Sequence, residues 1–304
     1  MTLDQQLRLI RVAATLGAHT LRLTGGEPLL SQRLLPLLEA VSRGRSTPGD
    51  PLRGLRHIAL TTNGVLLTPN RASLLRAAGL DRITISLDAV DGSVAARMAG
   101  LRGGQAAGER LVRQVIDGVM SAKLAGFVAE QGEIKLNAVI KKGENDTQLL
   151  PLAALARRYG LELRLIEYMD VGNRNGWVAD QVLPAAEMVR LIQARWPLQP
   201  LGRDSGATAN RWRFTDDRGG LGVIASISEP FCGDCNRLRI TADGQAFTCL
   251  FASEGADLRP VLDNTAALQQ RIACLWLHRS DRYSEERHHH LPRSAHAEMA
   301  YLGG

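Results

Sequence analysis

Cysteine is scarce and unevenly placed: the 304 residues hold four, and none precedes Cys232. Four are too few for a disulfide scaffold. Three of them crowd into residues 230–251. That usage fits a reducing compartment and a metal or redox role, so the expected location is cytoplasmic. Aromatic residues make up only 4%. Few platforms for stacked bases remain, and nucleic acid is not an expected partner. No run of about 18 apolar residues occurs, so no membrane span is expected. The opening "MTLDQQLRLIRVAATLG" has neither the apolar stretch nor the small-residue cleavage site of a secretory signal. It reads instead as an amphipathic helix with Leu7, Ile10, Ala14 and Leu16 near one face.

The chain is 45% hydrophobic with a formal net charge of +6. Such a length buries a sizeable core in one large or two modest domains. The positive balance fits an acidic partner such as a phosphorylated ligand, and it equally fits an arginine-rich composition with no specific partner.

From the start to about residue 170, short β-rich runs alternate with helical patterns. Strands are expected at 19–28, 57–64, 82–89, 133–141 and 161–169. Helices are expected between them: 31–44 with Ser31 as N-cap, 70–79 closing on Gly79, 108–126, and "NDTQLLPLAALARRYG" with Asp146 or Thr147 at its cap. Residues 42–56, "SRGRSTPGDPLRGLR", read as a long surface loop. Helical stretches between strands imply right-handed βαβ units and a parallel sheet. Five in a row favour a whole or partial βα barrel, with ligand chemistry at the C-terminal ends of the strands. Thr24, Gly25, Gly26, Glu27, Thr61, Thr62, Asn63, Ser86, Asp88, Asn137, Glu167 and Met169 fall there. Turn chemistry explains any one of them, but not all on one rim. After Met169 come a loop, a helix at 184–196 and a hairpin within 203–228. A domain boundary is expected near 172, giving units 1–171 and 172–304.

In "PFCGDCNRLRITADGQAFTCLF", Cys-x2-Cys is followed by x13 and a third cysteine. Two intervening residues let two sulfurs reach one ion or cluster, and the third returns across the "ADG" turn. A structural zinc site asks for four ligands. Cys274, in the apolar run "RIACLWLHRS", reads as a small core residue rather than the fourth. Three thiolates suit a cubane iron–sulfur cluster with one iron open to an outside ligand. A redox Cys-x2-Cys leaves Cys249 without a role. Arg237 and Arg239 alternate along one strand and share a face, as phosphate or carboxylate recognition requires and as a solvated pair also would. His288, His289 and His290 could bind metal or lie in a solvated loop.

Six stretches in this order carry a resemblance: "RLTGGEPLL", "LTTNG", "ISLDA", "IKLNAVIKKGEND", "LRLIEYMDVGNRNGW" and the cysteine segment. From about residue 17 to its last residue the chain resembles the GTP 3′,8-cyclase family, the molybdenum cofactor biosynthesis protein A group of radical S-adenosylmethionine enzymes. The resemblance implies an α/β fold: a partial (βα) barrel of the radical S-adenosylmethionine type lacking its first strand, plus a smaller C-terminal iron–sulfur domain. It implies conversion of GTP to 3′,8-cyclo-7,8-dihydro-GTP by radical chemistry in the first step of molybdopterin biosynthesis. Carried over by position, Cys232, Cys235 and Cys249 hold a [4Fe–4S] cluster. Arg22, Thr61, Lys135, Arg237 and Arg239 contact GTP, with Arg164 a further phosphate candidate. Gly26, Ser86 and Met169 contact S-adenosylmethionine, and Gly303 and Gly304 form a mobile tail. The implied partners are a second copy in a homodimer and cyclic pyranopterin monophosphate synthase, which takes the product.

The family's radical cluster uses a Cys-x3-Cys-x2-Cys loop after the first barrel strand, and these 304 residues contain none. The expectation is therefore a truncated copy that does not cyclise GTP as it stands, with an exposed barrel edge and poor solubility. The alternatives are a non-catalytic GTP- or cluster-binding paralogue and a zinc-stabilised binding module.

Overall fold

A computed structural model describes residues 1–172, 176–287 and 297–302. His288, His289, His290, Gly303 and Gly304 lie outside the described residues. The five expected strands all form: β1 (Thr20–Leu23), β2 (His57–Thr62), β3 (Arg82–Ser86), β4 (Ile134–Ile140) and β5 (Glu162–Glu167). They pair in chain order and in parallel. Beyond β5 the sheet continues past residue 172. β8 (Gly220–Ile224) lies parallel to β5, and β7 (Asn210–Phe214) and β6 (Leu198–Gly202) follow antiparallel. The order is β1-β2-β3-β4-β5-β8-β7-β6, an open sheet of eight strands with edges at β1 and β6, in keeping with a partial barrel.

The two faces of this sheet differ because its strands alternate. In β2 to β5 and β8, Ile58, Leu60, Ile83, Ile85, Ile134, Leu136, Leu163, Leu165, Leu221 and Val223 point one way and are buried in the main core. The helices α2 (Leu34–Ser46), α3 (Pro69–Ala77), α5 (Gly104–Leu124), α6 (Leu149–Tyr159) and α7 (Ala185–Gln193) cover that side. The opposite face carries Thr61, Arg82, Thr84, Lys135, Asn137, Glu162 and Arg164. A parallel strand packed on both faces reads as a continuous apolar run. Alternation in a parallel sheet therefore marks a face left polar for another purpose.

A second, smaller core joins the chain's two ends. Leu9 and Val12 of α1 (Leu3–Thr15) pack with Ala246, Leu258, Leu262, Leu268 and Ile272. These belong to β10 (Gln245–Phe247), which pairs with β9 (Arg239–Ile240) and β11 (Ala256–Asp257), and to α8 (Thr265–Leu277) and the turn before it. Arg8 donates to the Leu262 carbonyl at 2.7 Å, which fastens α1 to that layer. A capping box at Thr2 and Gln5 starts α1.

Several local expectations are corrected. Leu16 is 41% exposed and not part of the buried face of α1, which serves two cores through Ile10 on one side and Leu9 and Val12 on the other. Ser31 ends a short 3-10 turn, and Arg33 precedes α2 without a side-chain cap. Residues 42–56 are not a loose loop: α2 runs to Ser46, and a turn at Pro51–Gly54 buries Leu52 and Leu55 while Asp50 pairs with Arg11 at 3.0 Å. Neither Asp146 nor Thr147 caps α6, because residues 146–148 form a 3-10 turn and Gln148 precedes the helix. Cys274 is exposed, since α8 turns Leu268 and Ile272 inward instead.

Helix α4 (Gly92–Met98) was not expected, and it packs on α5 through two glycines. A methyl group on Gly108 would lie 1.7 Å from the Gly92 carbonyl oxygen. The helices cannot part without opening the core, so Gly108→Ala is expected to cost about 1–3 kcal/mol. A fall of several degrees in melting temperature checks this, and an unchanged transition would contradict the packing.

Candidate active site between the polar sheet face and the cysteine loop

The polar face gathers positive charge. Glu162, 5% exposed, accepts from Lys135 Nζ at 2.9 Å, from Arg164 Nε at 2.7 Å and from Arg211 Nη2 at 3.2 Å. Room for this hub comes from Gly220 and Gly222 on β8: a Cβ on Gly222 would sit 3.4 Å from Arg164 Cγ. Burial works against the Glu162 anion, but Arg164 and Lys135 outweigh it and hold the carboxyl well below its usual range. Burial, with Arg164 alongside, draws Lys135 down to about 8, and Glu162 only partly restores it.

Arg22, from β1, has no such partner. Its side chain is reached by solvent yet crowded by surrounding protein. That crowding comes first, with the like charges of Arg164, Arg82, Arg237 and Arg239 added, in lowering it to about 10. The last two come from the C-terminal layer, so the positive charge spans the sheet and the cysteine segment. Among the described residues, no carboxylate lies within ion-pair distance of Arg22, Arg82, Arg237 or Arg239. Like charges held together without counter-charges destabilise a fold, and the arrangement suits a polyanion.

Some unmatched polar atoms lie in the same region. Of the six buried side-chain polar atoms without a hydrogen-bond partner among the described residues, Thr61 Oγ1 and Asn137 Oδ1 are on the polar face and Arg239 Nη1 is in the cysteine segment. Thr61 and Asn137 share the polar face with Lys135. A buried polar group left unpaired costs about 1–3 kcal/mol, which a bound ligand would recover.

At the C-terminal rim, Gly25 takes φ of +134° and nothing lies within 4 Å of a Cβ placed on Gly25 or Gly26. The backbone there is open to close approach by a ligand. Glu27 is structural: it accepts from Thr62 Oγ1 at 2.7 Å and from the Asn63 N–H at 2.8 Å, fixing the glycine turn against β2. Glu167, fully buried, likewise accepts from the N–H groups of Ala185, Ile227 and Ser228 and joins the loops after β5 and β8. Asp88 accepts the Val139 N–H at 2.8 Å, and burial raises it to about 6. Ser86 is exposed at the end of β3 and Met169 is half-buried just beyond β5, so Gly26, Ser86 and Met169 stand on one rim.

The cysteine loop is clamped from several sides. Asp234 accepts from the Gly206 N–H at 2.7 Å and from Arg203 at 2.8 Å. Glu285 accepts from the Gly233 N–H at 3.0 Å, and Arg279 donates to the Cys235 carbonyl. Cys232, Cys235 and Cys249 are all half-buried. Burial opposes the Cys235 thiolate, but Arg237, by charge and N–H, and Arg279 bring it below the ordinary thiol value. Burial raises Cys249 despite the Phe251 N–H donated to its sulfur at 3.4 Å. Arg239 feels both Cys235 and Cys249, so cations and thiols form one neighbourhood.

Among the described residues, no three His, Cys, Asp or Glu side chains converge on a point that could hold one metal ion. A cluster distributes its thiolates over separate irons, and the three half-buried thiols of this segment suit that chemistry.

The expected residues thus fall into two sets. Arg22, Thr61, Lys135 and Arg164 share the polar face of the sheet, and the charges of Arg237 and Arg239 reach Arg22 from the C-terminal layer, while Gly26, Ser86 and Met169 lie at or just beyond the C-terminal ends of β1, β3 and β5. Sequence reasoning missed Glu162, Arg82 and Arg211. The signal was present in "RITIS" and "ELRLIE", whose charged residues alternate with aliphatics in strands that ought to be apolar throughout.

Comparison with known proteins bears on the family and the fold. The Radical SAM superfamily profile matches residues 1–156, and the profile described as Molybdenum Cofactor Synthesis C matches residues 161–285. The chain is 68% identical over 304 residues to a GTP 3′,8-cyclase of Synechococcus sp. (strain WH7803), covering 100% of this chain and 88% of the relative. It is 42% identical over 306 residues to a GTP 3′,8-cyclase of Xanthomonas axonopodis pv. citri (strain 306), covering 100% of this chain and 86% of the relative. Among solved structures, Streptococcus suis SuiB bound to S-adenosylmethionine superposes with a TM-score of 0.60 at 15% identity, over 97% of this chain and 62% of that one. At that identity the likeness concerns the fold alone.

Proposed function

The chain belongs to the GTP 3′,8-cyclase family of the radical S-adenosylmethionine superfamily, and from that premise we propose that it binds GTP between the polar sheet face and the cysteine loop, for conversion to 3′,8-cyclo-7,8-dihydro-GTP. The observation that carries this reading is the set of cations outside any ion pair, Arg22, Arg237 and Arg239, together with the unpartnered oxygens of Thr61 and Asn137. A triphosphate supplies the missing negative charge. Arg22, Lys135 and Arg164 approach it from the sheet and Arg237 and Arg239 from the other side. Thr61 and Asn137 offer hydrogen bonds to the nucleoside.

Cys232, Cys235 and Cys249 would hold a [4Fe–4S] cluster, and Gly26, Ser86 and Met169 would hold S-adenosylmethionine. Together such groups supply hydrogen-abstracting radical chemistry, with an open iron at the three-cysteine cluster free to take a ligand atom. The protein's part is position and charge. Arg237 and Arg279 keep Cys235 ready to ligate, and the pinned loops after β1, β5 and β8 fix the rim.

These 304 residues hold no cysteine before Cys232 and therefore the ligands of one cluster. Nucleotide binding without turnover is the expected behaviour of this polypeptide by itself. Family membership supports a homodimer, a cytoplasmic setting and hand-over of product to cyclic pyranopterin monophosphate synthase. Among the described residues, no helix is long and apolar enough to cross a membrane.

Calorimetric titration of the anaerobic, iron-loaded protein tests the proposal. GTP is expected to bind saturably and at least roughly 100-fold more tightly than guanosine, since several charge-assisted contacts are lost together. Equal affinity for both, or none for GTP, would refute it.

A further inference from the structure

Glu162 is the one carboxylate among the strand residues of the polar face on β1 to β5 and β8. It touches cations from three strands at 2.7–3.2 Å: Lys135 of β4, Arg164 of β5 and Arg211 of β7. We propose that Glu162 is a positioning residue, which keeps Lys135 charged and aimed at the polyphosphate and brings Arg211, from the antiparallel end of the sheet, into the same anion site. The inference rests on the GTP-binding reading above and deepens it.

Three features support it. Lys135 is 8% exposed, and a buried ammonium needs a carboxylate to stay charged. The charged groups that bear on it are Arg164 and Glu162 from β5 and Arg211 from β7. Arg82 of β3 is coupled in turn to Arg164 and Glu162, and also to its neighbour Asp81. Glu162 alone favours the protonated lysine. Arg211 keeps a side chain 41% exposed although one nitrogen is on Glu162, so its remaining donors are available to an incoming anion. Gly220 and Gly222 leave space beside this group that larger residues would fill.

Lys135 near 8 means that GTP affinity falls as pH rises through that value, because the ammonium loses its proton. Without Glu162 the proton leaves sooner. Without Arg211 it is held longer. The test measures GTP affinity of the full chain from pH 6 to 10 for the wild type, Glu162→Gln, Glu162→Asp and Arg211→Ala. The nucleotide's own ionisation is common to all four and cancels in comparison.

Glu162→Gln is expected to move the alkaline fall to lower pH by roughly one unit, so that affinity near pH 8 drops by about fivefold. Arg211→Ala should move it to higher pH while weakening binding several-fold at neutral pH. Glu162→Asp should restore most of the wild-type profile. A purely structural Glu162 would lower affinity equally at every pH, and such parallel curves overturn the inference while leaving the GTP site intact. Wild-type protein that binds no GTP overturns the GTP reading and this inference with it. Should Glu162→Gln not fold, Arg211→Ala decides: an upward shift supports the inference and an unmoved profile overturns it.

Discussion

Arg239→Ala is expected to weaken GTP binding by about 10- to 100-fold while leaving the fold as stable as before or more so. The charge of Arg239 sits among Arg237, Arg279 and Arg22, burial and Arg237 lower its proton affinity, and one of its nitrogens is buried without a partner. In the free protein such a side chain is a burden, so removing it relieves repulsion and an unpaired donor. In the complex it would make a charge-assisted contact of about 1.5–3 kcal/mol, and each 1.4 kcal/mol is tenfold in affinity. Calorimetry paired with thermal melting separates the two effects. A variant that loses stability and binding together would mark Arg239 as structural.

The second large effect concerns the thiols. Replacing Cys232, Cys235 and Cys249 together by serine is expected to reduce iron in the anaerobically reconstituted protein from about four atoms per chain to background, with the visible absorbance of the cluster. Cys274→Ser should change neither, because that thiol is exposed on α8 and not part of the clamped loop. Zinc in place of iron, or iron retained by the triple variant, would contradict the assignment. The clamp makes the comparison clean: Asp234, Glu285 and Arg279 hold the loop through backbone groups and neighbouring side chains, none of which the serine replacements remove.

Much of this was legible in the residues. The five strands announced themselves because β-branched runs such as "RITIS" and "IKLNAVI" end in turn residues, and local chemistry suffices for that. The cysteine triad and the Arg237/Arg239 pair were legible because their spacing is short. What escaped depends on contacts distant in the chain. Nothing near Gly220 says that β8 docks beside β5, some 60 residues earlier, and extends the sheet. The helix α4 rests on a Gly92–Gly108 approach that no periodicity reveals. The strand alternation in "ELRLIE" marks Glu162 as inward on the polar face, but its role stays hidden, since its three partners come together only when β4, β5 and β7 are laid side by side. Ser31 failed as a cap because the chain first makes a 3-10 turn at Pro28–Leu30. Cys274 was misjudged because an apolar helix segment does not declare which of its faces is buried.

The decisive placement is that of a nucleotide between the polar side of the sheet and the three sulfurs. A crystal structure of the anaerobic, iron-loaded protein with GTP examines it most directly. The expected density puts the triphosphate against Arg22, Lys135, Arg164 and Arg211, with the base toward a cluster on Cys232, Cys235 and Cys249. GTP bound elsewhere on the molecule, or a single zinc ion on those sulfurs, would contradict it.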